Sequence, residues 1–123
     1  MKNRTLACHP PDLLPQISFF HKLAGSDIFV LLDSAQLSQP RSSCAARTQI
    51  KMAKGPKWLS IPINNGSNLP YVLVPLPPEN GWANRMYDTI RLAYEDAPYW
   101  NYMNFTDNYD RALLGSRGLA GFN

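Results

Sequence analysis

LACHPPDLLPQISFFHKLAGSDIFVLLD, running from Leu6 to Asp33, decides the fold reading of this chain. Residues 4–9 suit a short buried strand that delivers His9 into a proline-broken turn. Pro10, Pro11 and Pro15 forbid helix until about Gln16, because proline lacks an amide donor and restrains the residue before it. From there Ile17, Phe20, Leu23 and Ala24 recur at helical spacing, with Phe19 flanking them. Gly25 and Ser26 are expected to end the helix through a left-handed cap. Asp27 opens a second strand whose run IFVLL lacks polar alternation, the pattern of a strand inside a covered parallel sheet. The connection has the length that a right-handed crossover needs. His9 and Asp33 then both stand at strand carboxyl ends, the edge where open α/β sheets place their ligand crevice.

Outward from this unit, the polar loop SAQLSQPRSSCA leads to RTQIKM and WLSIPI, which read as a hairpin joined through AKGPK with Gly55-Pro56 at the turn. NNGSN is a further turn, YVLVPL a further strand and PPENG a break. Trp82 to Ala97 is helical in pattern, with Met86, Ile90, Leu92, Ala93 and Ala97 on or near one face. Asn80 or Gly81 is its expected cap, and Pro98 stops it. Aromatic-rich PYWNYMNF follows, then a short helical piece over residues 107–114, and the sequence closes on GLAGFN. The fold class read from this order is α/β: a Rossmann-like parallel sheet core with an added β-hairpin and C-terminal helices, in one domain over residues 1–123.

The bulk composition narrows the function classes. Apolar residues make up 45% and charged ones 17% of the 123 residues, an ordinary globular balance rather than that of a disordered chain. No run approaches the ~20 apolar residues of a membrane helix, and the N-terminus lacks a signal-like apolar core, so a soluble, cytoplasmic protein is expected. The net charge of +3 gathers in residues 41–57, where Arg41, Arg47, Lys51, Lys54 and Lys57 face no acid. Such a stretch suits phosphate or carboxylate groups, or is simply a solvated basic face. Nucleic acid is not expected as a partner, since the excess is small and no binding motif accompanies it. Cys8 and Cys44 form neither a disulfide framework nor a metal quartet, and a free thiol usually behaves as a small buried hydrophobe. No P-loop, GxGxxG, HExxH, CxxC or serine-elbow pattern is present, so no metal site or cofactor is assigned.

His9 is the best catalytic candidate, because an imidazole can take and return protons near neutral pH. Against this stands a histidine satisfied by backbone at a strand end. Asp33 could orient His9, bind a metal or accept a substrate hydroxyl, or merely cap the following turn. Asp27 reads as such a cap, and His21 with Lys22 as the solvent side of the helix. Arg47 and Lys51, four apart on a strand, share a face and could clamp an anion, the guanidinium bidentately. The alternative is a structural salt bridge from Arg47 to Asp33 or Asp27. Trp82, Tyr94, Tyr99 and Trp100 could form a sugar-stacking wall, although aromatics at helical spacing are more often core. Strand, histidine, turn and helix in this order also resemble nucleotidylyltransferases, but their second histidine is missing and the analogy stays at the level of fold.

HPPDLLPQISFFHKLAGSDIFVLLDSAQLS resembles the opening of the WbqC-like proteins, which occur among bacterial O-antigen and other polysaccharide biosynthesis genes. The likeness continues through Arg47-Thr48-Gln49-Ile50-Lys51, Trp58-Leu59-Ser60-Ile61-Pro62-Ile63, and Trp82, Thr89-Ile90, Tyr94 and Ala97-Pro98-Tyr99. Pro11, Leu13 and Gln16 depart from the family pattern, and Ser43-Cys44-Ala45-Ala46 replaces its Trp-Gln-Asn-like approach to Arg47. These changes remove hydrogen-bonding groups from a loop expected to line the crevice. The resemblance implies a role in surface-polysaccharide or related small-molecule assembly, as an acyl or aminoacyl transferase acting on an amino sugar or nucleotide sugar. His9 would be the general base, Asp33 its orienting partner, and Arg47 with Lys51 the anion clamp, with Trp82, Tyr94 and Tyr99 beside the substrate. It also implies a longer pattern, of which this chain is the N-terminal half, so a homo-oligomer or a partner covering the missing half is expected. The competing class is a binding or assembly module without catalysis, in which the altered loop no longer supports turnover, or an inactive fragment of such an enzyme.

Overall fold

β1 (Leu6–His9) and β2 (Ile28–Leu31) pair in parallel, Leu6 opposite Ile28 and His9 opposite Leu31, and the helix α1 (Ile17–Ala24) connects them. In this computed structural model residues 3–37, 43–63, 68–78 and 81–115 are described. Arg41, Asn80, residues 64–67 of the NNGSN turn and the closing GLAGFN lie outside them. The ladder is extended by Leu32 N–H donating to the His9 carbonyl at 2.9 Å, and the Asp27 carboxylate anchors its other end by accepting Thr5 N–H at 2.8 Å. Asp27 thus caps a backbone donor at the strand entrance. Gly25 ends α1 with φ −86°, not in the left-handed region, because its N–H reaches back to the His21 carbonyl at 3.1 Å while the Ser26 hydroxyl takes the Leu23 carbonyl at 3.0 Å.

The fold mixes helix and strand, and among the described residues its parallel sheet has two strands and its antiparallel sheet is a hairpin, without the wider sheet that a Rossmann-like core requires. The expectation of a covered sheet also fails. Ile28, Val30 and Leu31 are 45%, 40% and 54% exposed, and α1 buries no residue fully. An unbroken apolar run identifies a strand that can be covered; it does not supply the layer that covers it. The periodic positions Ile17, Phe20 and Leu23 face outward. Phe19 instead makes the contact, its ring edge-on to Phe29 at 5.2 Å and to His9 at 5.1 Å.

The second sheet is an antiparallel hairpin of β3 (Arg47–Met52) and β4 (Gly55–Ser60). Its two-residue loop is Ala53-Lys54, and Gly55 opens β4 with φ +116°, a conformation that a side chain disfavours. Gly55-Pro56 therefore begins the strand and does not form the turn. One hairpin face carries Ile50 and Leu59 into the core. The core gathers there, between the hairpin, α2 (Trp82–Tyr94) and α3 (Phe105–Gly115), and includes Leu13, Leu37, Val74, Trp82, Met86, Ile90 and Tyr109. The Tyr109 hydroxyl is satisfied by donating to the Ala83 carbonyl at 2.7 Å.

The YVLVPL segment is not a strand. Tyr71–Leu73 forms a 3₁₀ turn closed by Leu73 N–H to the Pro70 carbonyl at 2.9 Å, and the prolines around it cannot donate to a ladder. Pairing is confined to its start, where Gln36 bridges Pro70, Tyr71 N–H donates to the Ala35 carbonyl at 3.0 Å and Val72 N–H to the Asp33 carbonyl at 2.9 Å. α2 starts at Gly81, which is left-handed at φ +86°, and ends at Tyr94, before Ala97. It buries Trp82, Ala83, Met86 and Ile90, whereas Leu92, expected on that face, is 62% exposed. Among the described residues no helix is long and apolar enough to cross a membrane.

Candidate functional site

The turn after β1 is rigid at both ends. His9 Nδ1 lies 2.8 Å from the Pro10 carbonyl, which can only accept, so Nδ1 carries the proton. In the neutral ring Nε2 is then left with the lone pair, the state a proton acceptor needs. The Asp12 carboxylate stands 3.8 Å from Nδ1, and both side chains are largely shielded. Phe19 packs against the imidazole from α1. Four residues after His9, Leu13 is buried and donates its N–H to the Cys44 carbonyl at 2.7 Å, which ties the histidine turn to the loop entering β3.

That tie brings the hairpin to the end of the parallel pair. On the hairpin's outward face Arg47 pairs with Ser60 and Gln49 with Trp58, so Arg47 and Trp58 are diagonal neighbours. The guanidinium lies 3.7 Å from the centroid of the Trp58 ring. His9, Asp12, Gln16, Cys44, Arg47 and Trp58 thereby line one cleft of about 290 Å³. It holds a shielded imidazole–carboxylate pair on one wall and a stacked guanidinium on the other. Such a cleft can bind an anionic group at Arg47 and move a proton at His9.

The other sequence candidates lie elsewhere. Asp33 is exposed in the turn after β2, its carbonyl accepting Val72 N–H, and it is not among the residues lining the cleft. Lys51 is exposed and four residues along β3, roughly 13 Å from Arg47 at about 3.3 Å per residue, and also outside the cleft. Its backbone N–H donates to the Tyr94 hydroxyl at 3.1 Å. Trp82 is 5% exposed in the core, while Tyr94 and Tyr99 line a second cavity adjoining the cleft. No salt bridge from Arg47 to Asp27 or Asp33 is formed, since Arg47 rests on Trp58 and Asp27 holds Thr5. Cys8 and Cys44 are both exposed rather than buried. His21 and Lys22 are exposed, and Lys22 Nζ donates to the Cys8 carbonyl at 2.7 Å. Sequence reasoning missed Asp12 and Trp58. A two-residue hairpin turn at Ala53-Lys54 places Trp58 diagonal to Arg47, so the second was within reach of the pattern.

A family model described as the WbqC-like protein family matches residues 10–110, most of the chain. The chain belongs to this family. The match begins directly after His9 and takes in Asp12, Arg47 and Trp58, so the cleft sits within the region that defines the WbqC-like pattern, with His9 on its border. No curated protein and no solved structure matches the chain.

Proposed function

We propose that this WbqC-like protein is a group transferase of bacterial surface-polysaccharide assembly, transferring an acyl or aminoacyl group to an amino sugar bound in the His9–Arg47 cleft. The observation that carries the reading is the convergence of His9, from the parallel pair, and Arg47, from the hairpin, on one cleft of about 290 Å³. Arg47 binds the phosphate or carboxylate of the substrate, held in orientation by Trp58. The sugar amine attacks the acyl carbonyl, forming the C–N bond. His9 Nε2 takes the proton released from nitrogen, and the donor's leaving group departs with the electrons of the broken acyl bond. Asp12, 3.8 Å from Nδ1, stabilises the imidazolium so formed, the part first assigned to Asp33.

The test is calorimetric binding of glucosamine 6-phosphate combined with mass-spectrometric detection of acyl transfer from thioester donors. His9→Ala is expected to keep binding and lose turnover by roughly a hundredfold or more, and Arg47→Ala to weaken binding. Exposed apolar side chains on the parallel pair, Leu31 at 54% among them, favour a second reading as an assembly module. Binding without turnover in the wild type selects that reading; absence of both removes the cleft from consideration.

A further inference from the structure

Behind the polar cleft lies a second cavity of about 510 Å³. The two share Leu14, Pro15, Gln16, Thr48 and Gln49 as lining residues, so they abut along one wall. Past that wall the character changes. The far end is formed by Ile90, Ala97, Tyr99, Trp100, Met103 and Phe105, and among the described residues no ionisable side chain lines it apart from tyrosine phenols. The Tyr94 hydroxyl there is already engaged by Lys51 N–H. A third, apolar pocket of about 160 Å³ continues toward Met86 and Tyr109. Leu14 lines all three, and its backbone is held at φ +49°, a conformation that non-glycine residues rarely adopt and that clusters at ligand sites.

We infer that the cleft and the chamber form one two-part site for a single-chain anionic amphiphile, its charged head at Arg47 and a flexible alkyl or acyl arm passing Leu14 into the chamber. This rests on the reading of the His9–Arg47 cleft given above, and it names the arm of the group that is handled there. Charge complementarity fixes the direction: the polar cleft carries the guanidinium, and among the described residues the larger cavity has no cationic side chain to pair with an anion. The far wall remains open, with Tyr99 75% and Met103 51% exposed, so the end of a long arm can leave the chamber.

The probes are methyl, butyl, hexyl and octyl phosphate, titrated calorimetrically as monomers into the whole chain. Affinity is expected to rise roughly two- to fourfold per methylene. Ala97→Trp, which fills the chamber from an exposed position, is expected to flatten that rise while methyl phosphate binds as before. Met103→Glu, a second exposed position on the same wall, gives the same result if the tryptophan variant does not fold. Arg47→Ala weakens every member of the series by a similar factor. Methyl phosphate binding with no gain from chain length overturns the chamber and leaves the reading of the cleft standing. A chain-length gain that ignores Arg47→Ala overturns the single two-part site. Absence of binding across the series overturns both. Pelleting with phosphatidylglycerol–phosphatidylcholine vesicles, without response to soluble octyl phosphate, assigns the chamber to a bilayer and overturns the proposal.

Discussion

The Arg47 guanidinium carbon lies 3.7 Å from the centroid of the Trp58 ring, across the diagonal of the β3–β4 hairpin. The ring supports the guanidinium from one side, and Arg47 is among the residues lining the cleft. A cation–π contact at a half-exposed ring contributes about 0.5–1 kcal/mol. Trp58→Ala is therefore expected to weaken glucosamine 6-phosphate binding about two- to fivefold, with Arg47 still present. Arg47→Lys keeps the charge but loses the planar fork and the stacking, and should bind more weakly than wild type. Calorimetry on both variants checks this, and an unchanged affinity in Trp58→Ala removes the tryptophan from the site.

Asp12 stands 3.8 Å from His9 Nδ1, while that nitrogen's proton goes to the Pro10 carbonyl. The ring tautomer is thus set by backbone, and the carboxylate acts through charge. Asp12→Asn should preserve the tautomer and lower the turnover of acyl transfer roughly three- to tenfold with little change in KM. An equal fall in binding and turnover would show that Asp12 touches substrate instead. An Asp33→Asn variant measured beside it compares the two carboxylates directly.

The unit from β1 to β2 was legible because proline, glycine and apolar runs act locally: they state where helix is forbidden and where a strand fits. The parallel pairing followed from that, and the hairpin from its flanking strand patterns. Burial was not legible in the same way. Leu31 and Ile17 are apolar, yet they stand exposed, because an apolar side chain says what it can contact and not which layer will arrive. Tyr71–Leu73 misled for a related reason: its residues favour strand, but Pro70, Pro75, Pro77 and Pro78 lack amide donors and interrupt any ladder the segment could build. In the site, His9 and Arg47 carry chemistry visible in any context. Asp12 and Trp58 gain theirs only from the turn and the hairpin register, which are properties of pairs.

Gly81 begins α2 at φ +86°, and a Cβ built there would come within 3.0 Å of Arg85 Nη1. The flexible guanidinium can move, so the backbone conformation dominates the cost. Gly81→Ala is expected to destabilise the fold by roughly 1 kcal/mol or more, lowering Tm by a few degrees. Thermal unfolding followed by circular dichroism checks this. An unchanged Tm would mean that the helix start readjusts without strain.

Two tyrosine hydroxyls in the α2–α3 contact separate buried from exposed hydrogen bonding. Tyr109 donates to the Ala83 carbonyl at 2.7 Å inside the core, whereas Tyr87 meets the Thr106 hydroxyl at 2.7 Å near solvent. The Ala83 carbonyl is wholly buried, so water cannot replace the lost donor; at Thr106 it can. Tyr109→Phe should cost about 1 kcal/mol or somewhat more, and Tyr87→Phe less than about 0.5 kcal/mol. The packing of both rings against Phe105, at 5.7 and 5.9 Å between centroids, is retained in each variant, so the comparison isolates the hydroxyl. Urea unfolding with unchanged m-values gives the two differences. If Tyr87→Phe proves the more costly, the α2–α3 seam is held from its rim and not from the core.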